Sequence, residues 1–111
     1  ESSGIFSFPS TGIYLITATA NLNINADGAA VFEFNTTEDN STYNVAASTN
    51  EGNIDASNTR GSATIQFIFD VTNITTHKFK FSTTSFAATT SLRGTTNLTQ
   101  TGFTAIRLGD T

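Results

Sequence analysis

The sequence predicts an all-β domain of the sandwich or barrel type. Three observations carry that prediction: apolar and polar side chains alternate with a period of two in several segments, no segment shows the i, i+3, i+4 spacing of an amphipathic helix, and turn-forming residues separate the alternating runs. Composition agrees. Among 111 residues there are 22 Thr, 11 Ser and 11 Asn but only 13% charged residues, so hydroxyls and amides rather than ions keep the surface wet. Thr favours strands, whereas Asn and Ser favour turns. Ten Phe, with no Met, Trp or Cys, make the expected core aromatic and β-branched, without disulfides or thiolate metal sites. One domain, residues 1–111, is expected, because half of such a chain would bury too little apolar surface to fold.

The clearest strand runs from Gly12 to Ile24, where Tyr14, Ile16, Ala18, Ala20, Leu22 and Ile24 alternate with Thr17, Thr19, Asn21 and Asn23. Its start breaks the pattern. Ile13 and Leu15 are apolar on the parity that later turns polar, so both faces need cover there. After a turn at Ala26, Asp27 and Gly28, a second strand places Ala30, Phe32 and Phe34 opposite Val31, Glu33 and Asn35. Thr36 to Thr42 reads as a loop, Tyr43, Val45 and Ala47 as a short strand, and Ser48 to Arg60 as a long polar loop. Ala63, Ile65, Phe67, Phe69 and Val71 form the next strand, with Ile68 standing alone among Thr64, Gln66 and Asp70 on the other face. A turn at Thr72–Thr76 precedes a strand in which His77, Phe79, Phe81 and Thr83 oppose Lys78, Lys80 and Ser82. Phe86 to Ala88 offers a weaker strand, Ser91 to Thr96 a turn around Gly94, and Phe103 to Leu108 the closing strand. No fixed-period repeat is present.

Charge and hydropathy exclude several functions. A net charge of −4 with five basic residues gives no positive stripe for a phosphate backbone, so nucleic acid is not an expected partner. No apolar run approaches the roughly 18–20 residues that cross a bilayer, and no charged-then-apolar signal segment opens the sequence, so a soluble, mature or excised domain without membrane insertion is expected. Absence of Cys suits either redox compartment. A small β domain without disulfides gains stability by oligomerising.

The stretch Phe6-Ser7-Phe8-Pro9-Ser10-Thr11-Gly12-Ile13-Tyr14-Leu15-Ile16 reads as Phe, five residues, then Gly-x-Tyr-x-apolar. Near the other end, Thr101-Gly102-Phe103-Thr104-Ala105-Ile106 sets a small residue and Gly before Phe, and between them Ile65–Phe69, a polar turn and Phe79-Lys80-Phe81 stand in the same order. These segments resemble the signature, the closing strand and the paired late strands of the complement C1q domain family. Ile16 and Ala18 depart from it, standing where the family usually has aromatics. The resemblance implies an all-β antiparallel jelly-roll sandwich of the C1q/TNF-like type, assembled as a homotrimer. It also implies a strand upstream of Phe6, so the domain is expected either to lack its first strand or to receive it from a partner chain. A neighbouring subunit would then cover the second apolar face at Ile13 and Leu15, and the trimer-interface candidates are Ile13, Leu15, Phe103 and Ile106. The Thr- and Asn-rich, cysteine-free style, ending Arg107-Leu108-Gly109-Asp110-Thr111, resembles tail-fibre or virion-surface proteins of bacterial viruses more than animal C1q-type ligands. The implied function is a non-enzymatic virion structural module in host attachment at a fibre tip or in capsid decoration. Its partners would be other virion proteins and a host surface glycan or protein. The alternative is a secreted C1q-like ligand or lectin-like module that binds a protein receptor or glycan. Virion surface or extracellular is the expected location in either case.

Catalytic parts are sparse. His77 is the sole histidine and reads as a strand-start residue on the face of Phe79. The loop acids Glu38, Asp39 and Asp55 are the candidates for a glycan-hydrolysing pair, but no spacing fixes an acid against a base, so no enzyme is expected. No cofactor is expected, with calcium as the open case: Asp27, Asp39 and Asp55, with Asn40, offer hard oxygen ligands in loops, without the spaced acidic motif of a dedicated calcium loop. Tyr43, Asn44, Asn53 and Asn58 suit sugar rings and hydroxyls, and equally suit any polar loop. The four Asn-x-Ser/Thr sequons at Asn35, Asn40, Asn73 and Asn97 are close to the roughly three that chance gives at this composition.

Overall fold

The computed structural model describes residues 1–52, 58–87 and 89–111. Its backbone is the strand β2 (Gly12–Ile24), whose alternation is as clean in space as in sequence: every even-numbered residue from Gly12 to Ile24 is buried and every odd one half-exposed. β2 pairs antiparallel along its whole length with β5 (Thr59–Val71). Its other edge is shared by β8 (Gly102–Gly109), along Ile13–Thr19, and by the two-residue β7 (Ser91–Leu92), at Leu22 and Asn23. The second sheet runs in the order β1 (Ile5–Ser7), β6 (Lys78–Thr84), β3 (Ala29–Thr37), β4 (Asn44–Gly52). All pairings are antiparallel. The described residues contain no helix, and the two sheets face each other as a sandwich.

Phenylalanines fill the space between the sheets. Phe79, 2% exposed, is the hub: its ring lies 5.1 Å from Phe6, 5.3 Å from Phe8 and Phe34, 5.8 Å from Phe81 and 5.5 Å from Phe103. Rings stacked and edge-on at these distances gain attraction beyond the area they bury. Phe34 of one sheet meets Phe67 of the other at 5.3 Å, and the far end of the core is aliphatic, with Ala20, Leu22, Ile24 and Ala30 fully buried.

The Gly-x-Tyr segment has a local explanation. The Tyr14 ring packs on Phe8 at 4.6 Å, and its hydroxyl donates to the Ser10 carbonyl at 3.0 Å, tying down the turn that enters β2. Gly12 has φ of 145°, and a Cβ there would stand 2.6 Å from the Gly109 carbonyl oxygen and 2.5 Å from Arg107 Nε. Glycine is the residue that takes this conformation and leaves that room. Arg107 uses the room, donating from Nε to the Thr11 carbonyl at 3.0 Å and pairing with Asp110.

Several elements differ from the sequence reading. β1 is a three-residue strand paired with β6 that alternation does not reveal, and β3 runs to Thr37, into the expected loop. β4 continues through Ser48, Thr49, Asn50 and Glu51 to Gly52, where a loop is expected, because the backbone ladder to β3 holds a polar edge strand that apolar alternation does not reveal. β5 starts at Thr59, four residues before Ala63, for the same reason. Ser91–Leu92 is a short strand rather than part of a turn. The weaker strand expected at Phe86–Ala88 is not one over Phe86 and Ala87, and Ala88 lies outside the described residues. Side chains replace the ladder there: Ala87 N donates to Asp27 Oδ2 at 2.7 Å, and Thr90 Oγ1 both accepts from Asn25 N and donates to Asn25 O at 3.0 Å.

Candidate functional site

Residues directly opposite in an antiparallel pair share a face. Leu15 is opposite Ile68 of β5 on one side and Ile106 of β8 on the other, so three apolar side chains cross the outer face of this sheet in one row. Ile68 is 60% exposed and Ile106 53%. Ile13 flanks the row on β2, and Leu108, 56% exposed, sits at the bulge where β8 changes register between Ile13 and Tyr14. Single exposed apolar residues are ordinary, whereas a contiguous group on one sheet face is less common.

Further along β2 the same face changes character. Thr17 lies between Gln66 and Thr104 and accepts from Gln66 Nε2 at 3.3 Å, and Thr19 and Thr64 share a hydroxyl contact of 3.2 Å. Beyond them come Asn21, opposite Ser62, and then Asn23 between Arg60 and Ser91. The face is therefore graded from apolar through hydroxyl to amide and guanidinium.

No family model, curated protein or solved structure matches this chain.

Of the four interface candidates, the fold brings Ile13, Leu15 and Ile106 together and sets Phe103 apart. Phe103 is opposite Ala18 on the inner parity, its ring 4.7 Å from Phe6 and 5.4 Å from Phe81. It belongs to the aromatic filling of the sandwich and is 38% exposed at its rim. Ile68 completes the row, and its signal in the sequence was the same parity break that marks Ile13 and Leu15: one apolar residue on an otherwise polar face.

The oxygen-ligand candidates are not gathered. Asp27 lies before β3 and Asp39 after it, separated by a nine-residue strand, roughly 30 Å at ~3.3 Å per residue. Each already serves the backbone. Asp39 Oδ1 accepts from Thr42 N at 2.7 Å, Ser41 N at 2.8 Å and Thr37 Oγ1 at 2.9 Å. The Thr42 amide first, then the Ser41 amide and the Thr42 and Thr37 hydroxyls, hold its carboxyl well below the usual carboxylate range. That keeps Asp39 ionised, the wrong state for a general acid. Glu38 is exposed beside it, and Asp55 lies outside the described residues. Among the described residues no three His, Cys, Asp or Glu side chains stand close enough to share a metal ion.

His77 is buried and stacked on Phe69 at 5.6 Å, with Nε2 3.2 Å from Thr72 Oγ1 and Nδ1 3.1 Å from Thr76 Oγ1. Both ring nitrogens are occupied within the turn it closes. Of the sugar-binding candidates, Tyr43 carries Lys80 Nζ over its ring at 4.4 Å, and Asn44 stands beside it at the start of β4. Asn58 lines a depression at the polar end of the graded face, and Asn53 lies outside the described residues. The sequon Asn35 is closed to modification: it is 6% exposed, and its amide donates to Ser82 Oγ at 2.8 Å, which in turn donates to Glu33 Oε2 at 2.7 Å. Asn40, Asn73 and Asn97 are exposed.

Proposed function

We propose that this chain is a C1q/TNF-like jelly-roll module that associates as a homotrimer through the outer face of the β5-β2-β8 sheet. In this reading it acts without catalysis on a virion surface, in host attachment or capsid decoration. The observation that carries the reading is the Ile68–Leu15–Ile106 row. An antiparallel sheet that faces water on one side is polar there, and this one interrupts that polarity with an apolar row in its first half, beside Asp70 opposite Ile13.

Strand connectivity supports it. From β2 the chain passes to the opposite sheet for β3 and β4, returns for β5, crosses again for β6 and comes back for β7 and β8, so most connections pass over the ends of the sandwich, as jelly-roll winding requires. Among the described residues β8 pairs on one edge alone, and Ala105, on its inner parity opposite Ile16, is exposed. A first strand, from upstream or from a partner chain, would pair at that edge. The virion placement rests on compositional likeness to fibre and virion-surface proteins.

Sedimentation velocity at micromolar concentration tests the assembly, with an expected species of three times the 11.8 kDa chain mass. A monodisperse monomer would remove the reading. Imaging of labelled particles tests the location and separates fibre tip from shell. N-glycans at Asn40, Asn73 and Asn97 after secretory expression would instead favour the secreted ligand.

A further inference from the structure

At the polar end of the graded face, Arg60, Arg93, Asn23, Asn58, Ser91 and Gln100 line an open depression of about 490 Å3. Two of the five basic residues of an acidic chain thus stand in one place. Among the described residues no carboxylate lines the depression, and Asp55 lies outside them. Among the described residues the single ion pair is Arg107–Asp110, at the other end of the sheet, and the Arg93 guanidinium reaches only Asn21 Oδ1, at 3.5 Å. Glu51 of β4 packs where a Cβ of Gly61 would be. Gly61 is opposite Leu22 on the inner parity, so Glu51 lies on the other side of β5 from Arg60.

Both arginines are rooted in fixed backbone. Arg60 is held in the ladder opposite Asn23. Arg93 donates from its backbone N to Asn21 O at 2.8 Å and accepts at its carbonyl from Thr101 Oγ1 at 2.8 Å, and Thr101 Oγ1 also accepts from Asn21 N at 3.0 Å.

We infer that this depression binds a sugar residue bearing a carboxylate. A guanidinium presents parallel N–H donors that match a planar carboxylate two to two, and two guanidinium groups with no carboxylate partner among the described residues favour an anion. A simple ion would leave most of the space empty, since the volume falls in the range of small-molecule sites. Three amides and a serine hydroxyl supply donors and acceptors in the mixture that sugar hydroxyls require. The depression lies eight residues along β2 from Leu15, roughly 26 Å at ~3.3 Å per residue, so it goes beyond the assembly reading and stands apart from it.

Amide-resolved NMR titration of the full chain tests the inference. Glucuronic acid and N-acetylneuraminic acid are the probes, with glucose and N-acetylglucosamine as neutral sugars and acetate and sulfate as plain anions. The expected result is saturable millimolar binding of one or both sugar acids, with shifts at Asn23, Arg60, Ser91 and Arg93. R60Q and R93Q should each weaken it about tenfold, the scale of a charge-assisted hydrogen bond. R93K, which keeps the charge and loses the fork, should fall between, while K78Q on the other sheet should match the parent. Dispersed spectra for every variant establish that each is folded. Absence of residue-specific shifts, equal binding of the neutral sugars, or equal binding of acetate or sulfate would each overturn the inference. Oligomeric state, read on the same samples, bears on the trimer alone.

Discussion

Ile68→Ser is the most direct probe of the apolar row. Ile68 leaves 60% of its surface in water, so little of the fold depends on it, and the residue opposite, Leu15, stays in place. Full burial of an Ile side chain stabilises by about 1.5–3 kcal/mol. In the proposed trimer, covering the remaining three-fifths contributes about 1–2 kcal/mol per protomer, and three protomers lose about 3–5 kcal/mol together. At about 1.4 kcal/mol per factor of ten, the association constant of that trimer falls by roughly two to four orders of magnitude. Sedimentation velocity over a dilution series reads that shift as a move of the monomer–trimer midpoint to higher concentration. Urea denaturation of the dissociated chain checks the other half of the argument, because its midpoint should barely move. An unchanged association constant in I68S, with the parent trimeric, would show that a different surface holds the trimer.

Other perturbations probe the fold around that face. Gly12→Ala forces a side chain into a backbone conformation it rarely adopts and against the Gly109 carbonyl, and should cost about 1–3 kcal/mol in urea unfolding while loosening the β8 terminus. Phe79→Ala empties the hub of the aromatic cluster and should cost about 3–5 kcal/mol, whereas Phe103→Ala, at the rim, should cost less; equal losses would contradict the ranking by burial. Asp39→Asn tests the turn after β3. Its folded pKa is depressed from the ordinary 3.8, so the carboxylate stabilises the fold fully above that value and the stability is lost as pH falls through the lower folded value. Thermal melts from pH 5 downward should therefore show an acid-dependent loss in the parent that is smaller in D39N.

Legibility followed water exposure. Gly12–Ile24 could be read residue by residue because one parity of the strand is wholly buried and the other is not, and the Gly-x-Tyr segment stood out because backbone geometry at Gly12 and the hydroxyl of Tyr14 require those residue types. β4 was half legible. Its C-terminal half, Ser48 to Gly52, buries too little for alternation to appear, and its place depends on β3 beside it. The Arg60–Arg93 depression was not legible, since 33 positions separate two residues that β2 brings together through Asn23, Ser91 and Asn21. Phe103 shows the opposite limit: its strand could be read, but its parity depends on the register with Ala18, and a slip of one residue would place it on the outer face.

That dependence on parity explains why one face holds two different surfaces. A strand with one buried side constrains only alternate positions, which leaves the other set free to vary along its length. In β2 that free set is Ile13, Leu15, Thr17, Thr19, Asn21 and Asn23, and β5 follows it, with Ile68 opposite Leu15, Gln66 opposite Thr17 and Arg60 opposite Asn23. From the Leu15–Ile68 row onward the two strands change from apolar to polar together, while at the outermost row Ile13 is opposite Asp70. The apolar rows suit a partner that excludes water, and the amide and guanidinium rows suit a ligand that replaces it with hydrogen bonds. Separated along one rigid ladder, the two ends can be altered independently. Ile68→Ser should leave sugar-acid binding at Arg93 intact, and Arg93→Gln should leave association intact; each pair of measurements on one sample tests that separation.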